Sequence, residues 1–304
     1  MNEKLKELNK LKIRVAPPFL VVSLFLLLVF GLPLAELAGY YTSDSIALIL
    51  VAIIIFFLVL ILLIISSRQD RNFNDLYHES VTRVALEDVF EVCDFLSNAA
   101  YIPNSIRSSF VGVFNYRYSS EEYAKGSYKD LEFEQCTVTL SREYRDSTSD
   151  KTITYFAGNW MIFYFPEVLS EAVKINSGSA TLDELLPDMF LANNDNFKIT
   201  MDNFQSDNLL LIQAISKEDF VKLISTDFLE ILNIATNETE WHIIIGIIRN
   251  EVHILFNRNS FWKTMYPSGR ITDETVDILR NEFCYAKELI DCFLKNYKNH
   301  TIEK

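Results

Sequence analysis

Two histidines are the side chains in this sequence whose type and spacing could best support acid–base or metal chemistry. His242 and His253 lie on the two arms of a predicted β-hairpin that turns at residues 249–250. With that turn, residue 242 pairs with 257 and residue 253 with 246, so the two imidazoles do not face each other. This offset favours ordinary hydrogen-bonded strand histidines over a metal site or a general base.

The carboxylates near these positions give little further support for catalysis. The hairpin offers only Glu240 and Glu251 as additional ligands. Elsewhere, Glu132 and Glu134 alternate with apolar residues along a predicted strand. Paired carboxylates can perform acid–base chemistry when one is buried, but this alternation is typical of a solvated sheet face.

Several catalytic signatures do not occur in the sequence. It has no Gly-rich phosphate loop of the Walker type, no dinucleotide fingerprint, no nucleophile elbow and no His-Glu-x-x-His. The four cysteines, Cys93, Cys136, Cys284 and Cys292, form no Cys-x-x-Cys pair, and we interpret them as reduced thiols in a cytosolic setting. The sequence therefore predicts no metal or other cofactor and identifies no catalytic residue.

A mixed basic and aromatic stretch at residues 258–270 is the best candidate for a binding surface. Its sequence, RNSFWKTMYPSGR, suits a membrane interface or a protein contact. The alternative is a loop whose aromatic residues cover the core beneath. The candidate binding residues are Arg258, Phe261, Trp262, Lys263, Tyr266 and Arg270.

The elements that would position these residues begin with a membrane anchor. Residues 46–65 are an unbroken apolar run, long enough for a helix to cross about 30 Å of hydrocarbon. A second apolar segment at residues 19–38 follows a basic N-terminus, residues 1–18, which either flanks the span or lies on an anionic leaflet. A cleaved signal peptide is disfavoured, because the next span follows almost at once. The pattern predicts a transmembrane helical hairpin over residues 19–65.

The distribution of charge predicts orientation and excludes one class of partner. Basic residues flank the hairpin on both ends and are missing from its connecting loop, so both termini should be cytoplasmic. The chain as a whole is acidic, with a net charge of −13, which disfavours binding to nucleic acid. We expect a multi-pass protein of the inner membrane whose residues 70–304 lie in the cytoplasm.

Residues 70–304 show the patterns of a mixed domain. Spacings of three and four predict one helix over residues 77–96, and β-type runs follow at 131–140 and 152–165, with polar turns at 121–129 and 147–151. A second series of helix and strand patterns begins near residue 178. It predicts helices at 182–191 and 217–234, strands at 197–201 and 209–215, and the hairpin at 241–257. The last helix carries a regular apolar stripe of Val276, Leu279, Phe283, Ala286, Ile290, Phe293 and Tyr297. This stripe packs either within the domain or against a partner helix.

The order of several short motifs resembles the bacterial domain-of-unknown-function 3137 family. These motifs are FNYRY at 114–118, YAKGSYKD at 123–130, YFAGNW at 155–160, DNF at 202–204, LLLIQAI at 209–215, and VHILF at 252–256 followed by Phe261. Trp160 stands where the family's Phe-x-Gly-x-Phe pattern closes on Phe. The resemblance implies a membrane-anchored cytoplasmic α+β domain and implies no reaction.

Together these observations predict an α+β protein: an N-terminal transmembrane hairpin, then a mixed, mainly antiparallel sheet with flanking helices, in one domain or in two subdomains dividing near residue 178. The predicted function is a binding or adaptor module that contacts membrane lipids through the hairpin and recruits a protein partner or small ligand. The alternative is an enzyme acting on an envelope or lipid substrate, with its site assembled from remote acids and histidines.

Overall fold

The structure is a computed structural model that describes residues 75–97, 117–146, 149–177, 211–214, 223–239, 242–258 and 273–301. These residues fall into two compact units. The first contains residues 75–80 and Asp273; residues 75–77 are helical, and the rings of Tyr77 and His78 meet edge-on with centroids 5.6 Å apart. The second contains residues 81–258 and 274–301 and holds the sheet.

The described residues form a sheet of eight strands, all paired antiparallel. The strands are β1 (Glu91–Leu96), β2 (Arg117–Tyr128), β3 (Leu131–Asp146), β4 (Ser149–Tyr164), β5 (Ser170–Asn176), β6 (Leu211–Ala214), β7 (His242–Arg249) and β8 (Glu251–Asn257). Their order across the sheet is β1-β2-β3-β4-β8-β7-β5-β6. The β7–β8 hairpin therefore lies between β4 and β5, which are neighbours in sequence.

Helices flank this sheet. A π-helical turn at His78–Thr82 leads into the short helix α1 (Arg83–Glu87), and two longer helices follow, α2 (Thr226–Thr239) and α3 (Asp273–Thr301). The predicted α+β class with a mainly antiparallel sheet is therefore confirmed for the described residues. Strands on both sides of residue 178 belong to one sheet.

The predicted membrane hairpin, with helices at 19–38 and 46–65, lies outside the described residues. Within the part of the chain that the structure describes, none of the helices combines the length and the apolar character that a membrane span needs.

Both faces of the sheet are buried around β3, β4 and β8. Because side chains alternate along a strand, Asn159, Met161 and Phe163 of β4 lie on one face, and Trp160 and Ile162 lie on the other. We call the first the helix face, because α3 contacts it, and the second the opposite face. The core of the opposite face consists of Cys136, Val138, Leu140, Phe156, Trp160, Ile162, Ile244 and Leu255, with Tyr164 packed against it.

The last helix uses its apolar stripe to cover the helix face. Leu279, Phe283 and Ile290 are all buried, as the spacing predicts. Near its C-terminal end, the ring of Phe293 packs edge-on against Phe165, with centroids 5.3 Å apart. The stripe therefore packs within the domain, which accounts for its apolar character without a partner helix.

The β7–β8 hairpin has the predicted register. His242 pairs with Asn257, and Gly246 pairs with His253. Arg249 has a positive φ of 55°, which makes the tight turn into β8. The two histidines are therefore offset along the hairpin, as the sequence indicated.

Three local predictions are wrong in their bounds. The helix predicted over residues 217–234 is displaced, because residues 224–225 are not helical and α2 runs from Thr226 to Thr239. The helix predicted over residues 77–96 ends at Glu87, and β1 begins at Glu91. The chain turns there so that Phe90 enters the core, where its ring lies 5.0 Å from that of Phe133, and the apolar spacing that continued beyond Glu87 belongs to a strand. The polar turn predicted at 121–129 is mostly strand β2, and the reversal occurs at Lys129 and Asp130, both with positive φ.

Candidate functional site

A buried ion pair joins the end of the sheet to α3. Arg258, directly after β8, donates from Nε to Oε2 of Glu282 at 2.6 Å and from Nη2 to Oε1 at 2.5 Å. The exposed fraction is 1% for Arg258 and 0% for Glu282. The backbone N–H of Arg258 donates to the carbonyl oxygen of Ala157 at 2.8 Å, which fixes the base of the side chain. Two charges withdrawn from water in this way are stable only when their hydrogen bonds are complete.

Asn159 extends this ion pair into the sheet. Its Nδ2 donates to Oε1 of Glu282 at 2.5 Å. With Nδ2 directed at Glu282, Oδ1 of the amide points towards the neighbouring strand. There Oδ1 accepts from Nε2 of Gln135 at 3.2 Å. The Oε1 of Gln135 is buried and has no hydrogen-bond partner among the described residues.

A second buried carboxyl, that of Glu122, lies at the other end of the same chain of contacts. The hydroxyl of Thr137 lies 3.0 Å from Oδ1 of Asn159 and also makes a short contact with Oε2 of Glu122. The hydroxyl of Thr82 donates to Oε1 of Glu122 at 2.6 Å. We call the six residues Thr82, Glu122, Thr137, Asn159, Glu282 and Arg258 the buried polar chain.

Burial and the guanidinium of Arg258 act in opposite directions on the pKa of the Glu282 carboxyl. The pKa of the Glu282 carboxyl is raised, chiefly by burial, and the nearby carboxyl of Glu122 acts in the same direction. The guanidinium of Arg258 and the amide of Asn159 lower it. The site thus holds two carboxyls and one guanidinium away from water.

A bulge in β2 places the Glu122 side chain in this chain of contacts. The register of β2 against β3 shifts between Glu121 and Ala124, so that the strand gains a residue there. Glu122 has a positive φ of 57°, a conformation that costs a non-glycine residue about 1–2 kcal/mol. Strand alternation alone would place Glu122 on the face of Ser120 and Val138; the shift instead brings its carboxyl to Thr137.

On the opposite face, both nitrogens of His253 are engaged. The indole Nε1 of Trp160 donates to Nδ1 of His253 at 3.1 Å, and Nε2 of His253 lies 3.1 Å from Oε2 of Glu251. Because an indole N–H only donates, Nδ1 must accept, and Nε2 carries the hydrogen that faces Glu251. His253 is fully buried. The imidazole is therefore held in one tautomer between its two partners.

The paired acids Glu132 and Glu134 have different surroundings. Glu132 is exposed and pairs with Lys125 at 3.3 Å. Glu134 is half-buried and accepts from the hydroxyls of Tyr123 at 2.9 Å and Tyr164 at 2.8 Å. The two carboxyls thus serve separate contacts and do not act as a pair.

The described surface contains one acidic groove of about 600 Å³ beside the β2–β3 turn. Its acids are Glu87, Asp88, Glu91, Asp130 and Glu132. Phe90 and Tyr128 line it as well, and the hydroxyl of Tyr128 donates to Asp291 of α3 at 2.8 Å. Such a lining repels phosphate groups, in keeping with the overall acidity of the chain.

The thiols and the possible metal ligands of the described residues are not organised into a reactive centre. Burial raises the pKa of the Cys136 thiol far above its usual range, which leaves it protonated. Cys284 and Cys292 are half-buried free thiols on α3. Among the residues that the structure describes, no group of three or more His, Cys, Asp or Glu side chains could hold a metal ion.

Of the predicted binding residues, the structure places Arg258 alone. It is buried in its pair with Glu282, which corrects the expectation that it belongs to an exposed contact surface. The other five, Phe261, Trp262, Lys263, Tyr266 and Arg270, lie outside the described residues and stay predictions.

Sequence reasoning missed the acidic members of the buried polar chain. For Glu282 a signal existed, because it lies three residues after Leu279 and four before Ala286, within the apolar arc of α3. A charged residue at such a position needs a partner inside the fold. For Glu122 the sequence offered no equivalent signal, since the face of the sheet on which its side chain lies depends on the bulge.

Comparisons with known proteins give only a loose structural likeness. No protein-family model and no curated protein matches the sequence. Among solved structures, the crystal structure of the mycobacterial trehalose monomycolate transport factor A, TtfA, aligns with a TM-score of 0.32 and 9% sequence identity, covering 67% of this chain and 91% of that chain. A superposition this loose supports no statement about the function of the chain.

Proposed function

We propose that the chain is a membrane-anchored binding module that recruits a protein partner or a small ligand at the inner face of the cell membrane. In this proposal residues 19–65 form the helical hairpin that contacts membrane lipids, and residues 70–304 lie on the cytoplasmic side. Anchoring raises the effective concentration of the domain for other membrane proteins without any new contact.

The observation that carries the proposal is that His253, the buried candidate histidine of the sheet, has both ring nitrogens engaged. A histidine acting as a general base needs an available ring nitrogen within reach of its substrate. In His253, Nδ1 accepts from Trp160 and Nε2 faces Glu251, so neither nitrogen is available while both contacts persist. Arg258 and Glu282 likewise form a buried pair. This arrangement favours a binding scaffold over the alternative of an enzyme acting on an envelope or lipid substrate.

The contact residues in this proposal are those of the segment that follows Arg258. Binding residues are concentrated on loops that a rigid scaffold positions. Arg258 supplies a firm starting point, because its backbone is bonded to Ala157 and its side chain to Glu282. We therefore assign partner recognition to Phe261, Trp262, Lys263, Tyr266 and Arg270.

Crosslinking in intact membranes tests the proposal. The full-length protein carrying Phe261→Ala and Trp262→Ala is compared with the natural chain and with Val168→Ala, a matched loss of apolar surface at a side chain that is 71% exposed elsewhere. We expect a stoichiometric crosslinked partner with the natural chain and with Val168→Ala, and its loss in the double variant.

Two outcomes would overturn the proposal. If only lipid is recovered with the natural chain, no partner is recruited. If the double variant keeps the partner, recognition lies elsewhere. A thermal unfolding curve of the purified double variant separates lost recognition from lost folding, because a domain that has lost a core contact unfolds at a lower temperature.

A further inference from the structure

The β7–β8 hairpin is nested inside a larger hairpin. β4 and β5 follow each other in sequence and run antiparallel, and β8 and β7 lie between them in the sheet. Tyr164, at the end of β4, pairs with Glu251, and Ser170, at the start of β5, pairs with Arg249. The connection between β4 and β5, residues 165–169, therefore crosses the end of the sheet at the β7–β8 turn. We call residues 165–169 the strap.

Three hydrogen bonds attach the strap to that turn. The backbone N–H of Phe165 donates to the carbonyl oxygen of Asn250 at 2.8 Å, and the N–H of Leu169 donates to that of Arg249 at 2.7 Å. The side-chain Nδ2 of Asn250 donates back to the carbonyl oxygen of Phe165 at 3.0 Å. The first residue of the strap is itself fixed, because the ring of Phe165 is buried against Phe293 of α3.

The strap has little spare length. Because two strands lie between β4 and β5, the strap crosses three strand spacings, a distance of ~14 Å. The chain from Tyr164 to Ser170 reaches at most ~20 Å when fully extended. If the hairpin moved towards the strap by two residues, its turn would advance by ~7 Å, and the path around the turn would lengthen to ~28 Å. The strap is too short for that path.

The apolar pattern of the hairpin does not oppose such a movement. Side chains alternate with a period of two, so a shift by two residues keeps each of them on its own face. In β7 the buried side chains that lie on the helix face are all isoleucines: Ile243, Ile245 and Ile247. A two-residue shift would replace one isoleucine with another. Apolar burial of β7 alone therefore leaves the register open.

We propose that the strap is a register lock, which holds the β7–β8 hairpin in one position between β4 and β5. Its length blocks a shift towards the strap. Its hydrogen bonds oppose a shift away from it, because that shift would take the acceptors from the N–H groups of Phe165 and Leu169.

The lock also positions the other end of the hairpin. A shift by two residues would move Arg258 by ~7 Å along the strand direction, and its guanidinium would lose the two-point contact with Glu282. The strap thus determines where the segment after Arg258 begins. This inference does not depend on what that segment binds.

Two variants of the full-length protein test the lock by hydrogen exchange of peptide segments. One inserts Gly-Ser-Gly-Ser between Glu167 and Val168, both exposed, so that the strap gains the length for a shift. Its control carries the same insertion between residues 147 and 148, in the connection from β3 to β4. The other variant is Asn250→Asp, whose carboxylate cannot donate to Phe165. Asn281→Asp, at an exposed position of α3, is its control.

We expect the amides of β7 and β8 to exchange about tenfold faster in Asn250→Asp, the effect of one lost hydrogen bond. The insertion in the strap should accelerate them further. The amides of β2 and β3 should keep their rates, because neither strand pairs with the hairpin and the opening is local. Both controls should match the natural chain in β7 and β8.

Two results refute the lock. Unchanged exchange of β7 and β8 in both variants would show that the strap does not hold the hairpin. Equal acceleration in all strands would show that the variants lower the stability of the whole domain and do not release the hairpin. If the insertion variant does not fold, Asn250→Asp decides by the same two criteria.

Discussion

Arg258 and Glu282 face each other in a two-point contact inside the protein, with the guanidinium of one donating to both carboxylate oxygens of the other. Neither side chain reaches the surface. The pair ties the end of β8 to α3, and Asn159 connects it to the middle of the sheet.

Breaking the pair on one side should be strongly destabilising. We expect Glu282→Gln to lower the free energy of unfolding by about 3–5 kcal/mol, because it removes the carboxylate that faces the buried Arg258 guanidinium at two points. Arg280→Gln is the control, since Arg280 and Asp88 form a partly exposed pair at 2.6 Å, and such pairs contribute about 0–1 kcal/mol. Chemical denaturation of both variants provides the comparison. Equal losses would mean that Arg258 finds another partner in the variant.

Replacing both members of the pair should restore much of that stability. In the double variant Arg258→Met with Glu282→Leu, neither charge of the pair is left buried, and apolar side chains of similar size fill the space. The expected loss in the free energy of unfolding is smaller than that of Glu282→Gln alone, as measured by a double-mutant cycle. A double variant as unstable as the single one would show that Asn159 depends on the carboxylate as much as Arg258 does.

The contact between Trp160 and His253 gives a third prediction. Trp160→Phe removes the indole N–H that donates to the buried Nδ1 of His253. We expect the loss of this hydrogen bond to lower the free energy of unfolding by about 1–3 kcal/mol, in addition to the effect of the smaller ring. Tyr164→Phe is the matched control, because it removes one hydrogen bond to Glu134. That carboxyl is only half-buried and still accepts from the hydroxyl of Tyr123. Equilibrium unfolding in urea measures both. A Trp160→Phe loss no greater than the control loss would exclude a stabilising role for this hydrogen bond.

Thiol labelling should separate the cysteines by burial. Burial raises the pKa of the thiols of Cys284 and Cys292, so iodoacetamide should modify them slowly at neutral pH and faster as pH rises and thiolate forms. Cys136 is completely buried and should react only when the protein unfolds. Mass spectrometry of the labelled peptides distinguishes the sites. Labelling of Cys136 in the folded protein at the rate of the other two would contradict its position in the core.

Gly158 should not tolerate a side chain. A Cβ at this position would meet the backbone carbonyl oxygen of Phe256 on the adjacent strand, which cannot move away without breaking the β4–β8 pairing. We expect Gly158→Ala to destabilise the domain by about 1–3 kcal/mol or more. The neighbouring change Ala157→Gly should have a smaller effect, about 0.5–1 kcal/mol. Thermal unfolding compares the two, and the reverse order of effects would be inconsistent with the close approach of the strands.

The sequence predicted those elements whose pattern reflects burial directly. The predictions of the α3 stripe and of the β7–β8 hairpin were both correct. Each element repeats its own period over its full length and ends at a recognisable signal. The helix that was predicted to reach residue 96 failed because spacings of three and four continue into β1 by coincidence.

The buried polar chain was much harder to predict. It depends on residues from β2, β3, β4 and α3 and from the end of β8, far apart in sequence, and on a bulge that redirects Glu122. No local pattern encodes such a juxtaposition, because the register of neighbouring strands decides which polar groups meet. The candidate binding residues are predicted from composition alone. Arg258, the member of that set that the structure places, is buried.

The position of the β7–β8 hairpin has a consequence for synthesis of the chain. β4 and β5 follow each other in sequence, yet β8 and β7 separate them in the sheet. A nascent chain that has released residues up to β5 therefore presents the edge of β4 without its native neighbour until the hairpin, some 75 residues later, emerges from the ribosome. An open strand edge of this kind is a template for aggregation, and late, non-local pairing slows folding. Chains truncated before residue 242 should therefore be poorly soluble and should depend on chaperones in the cell.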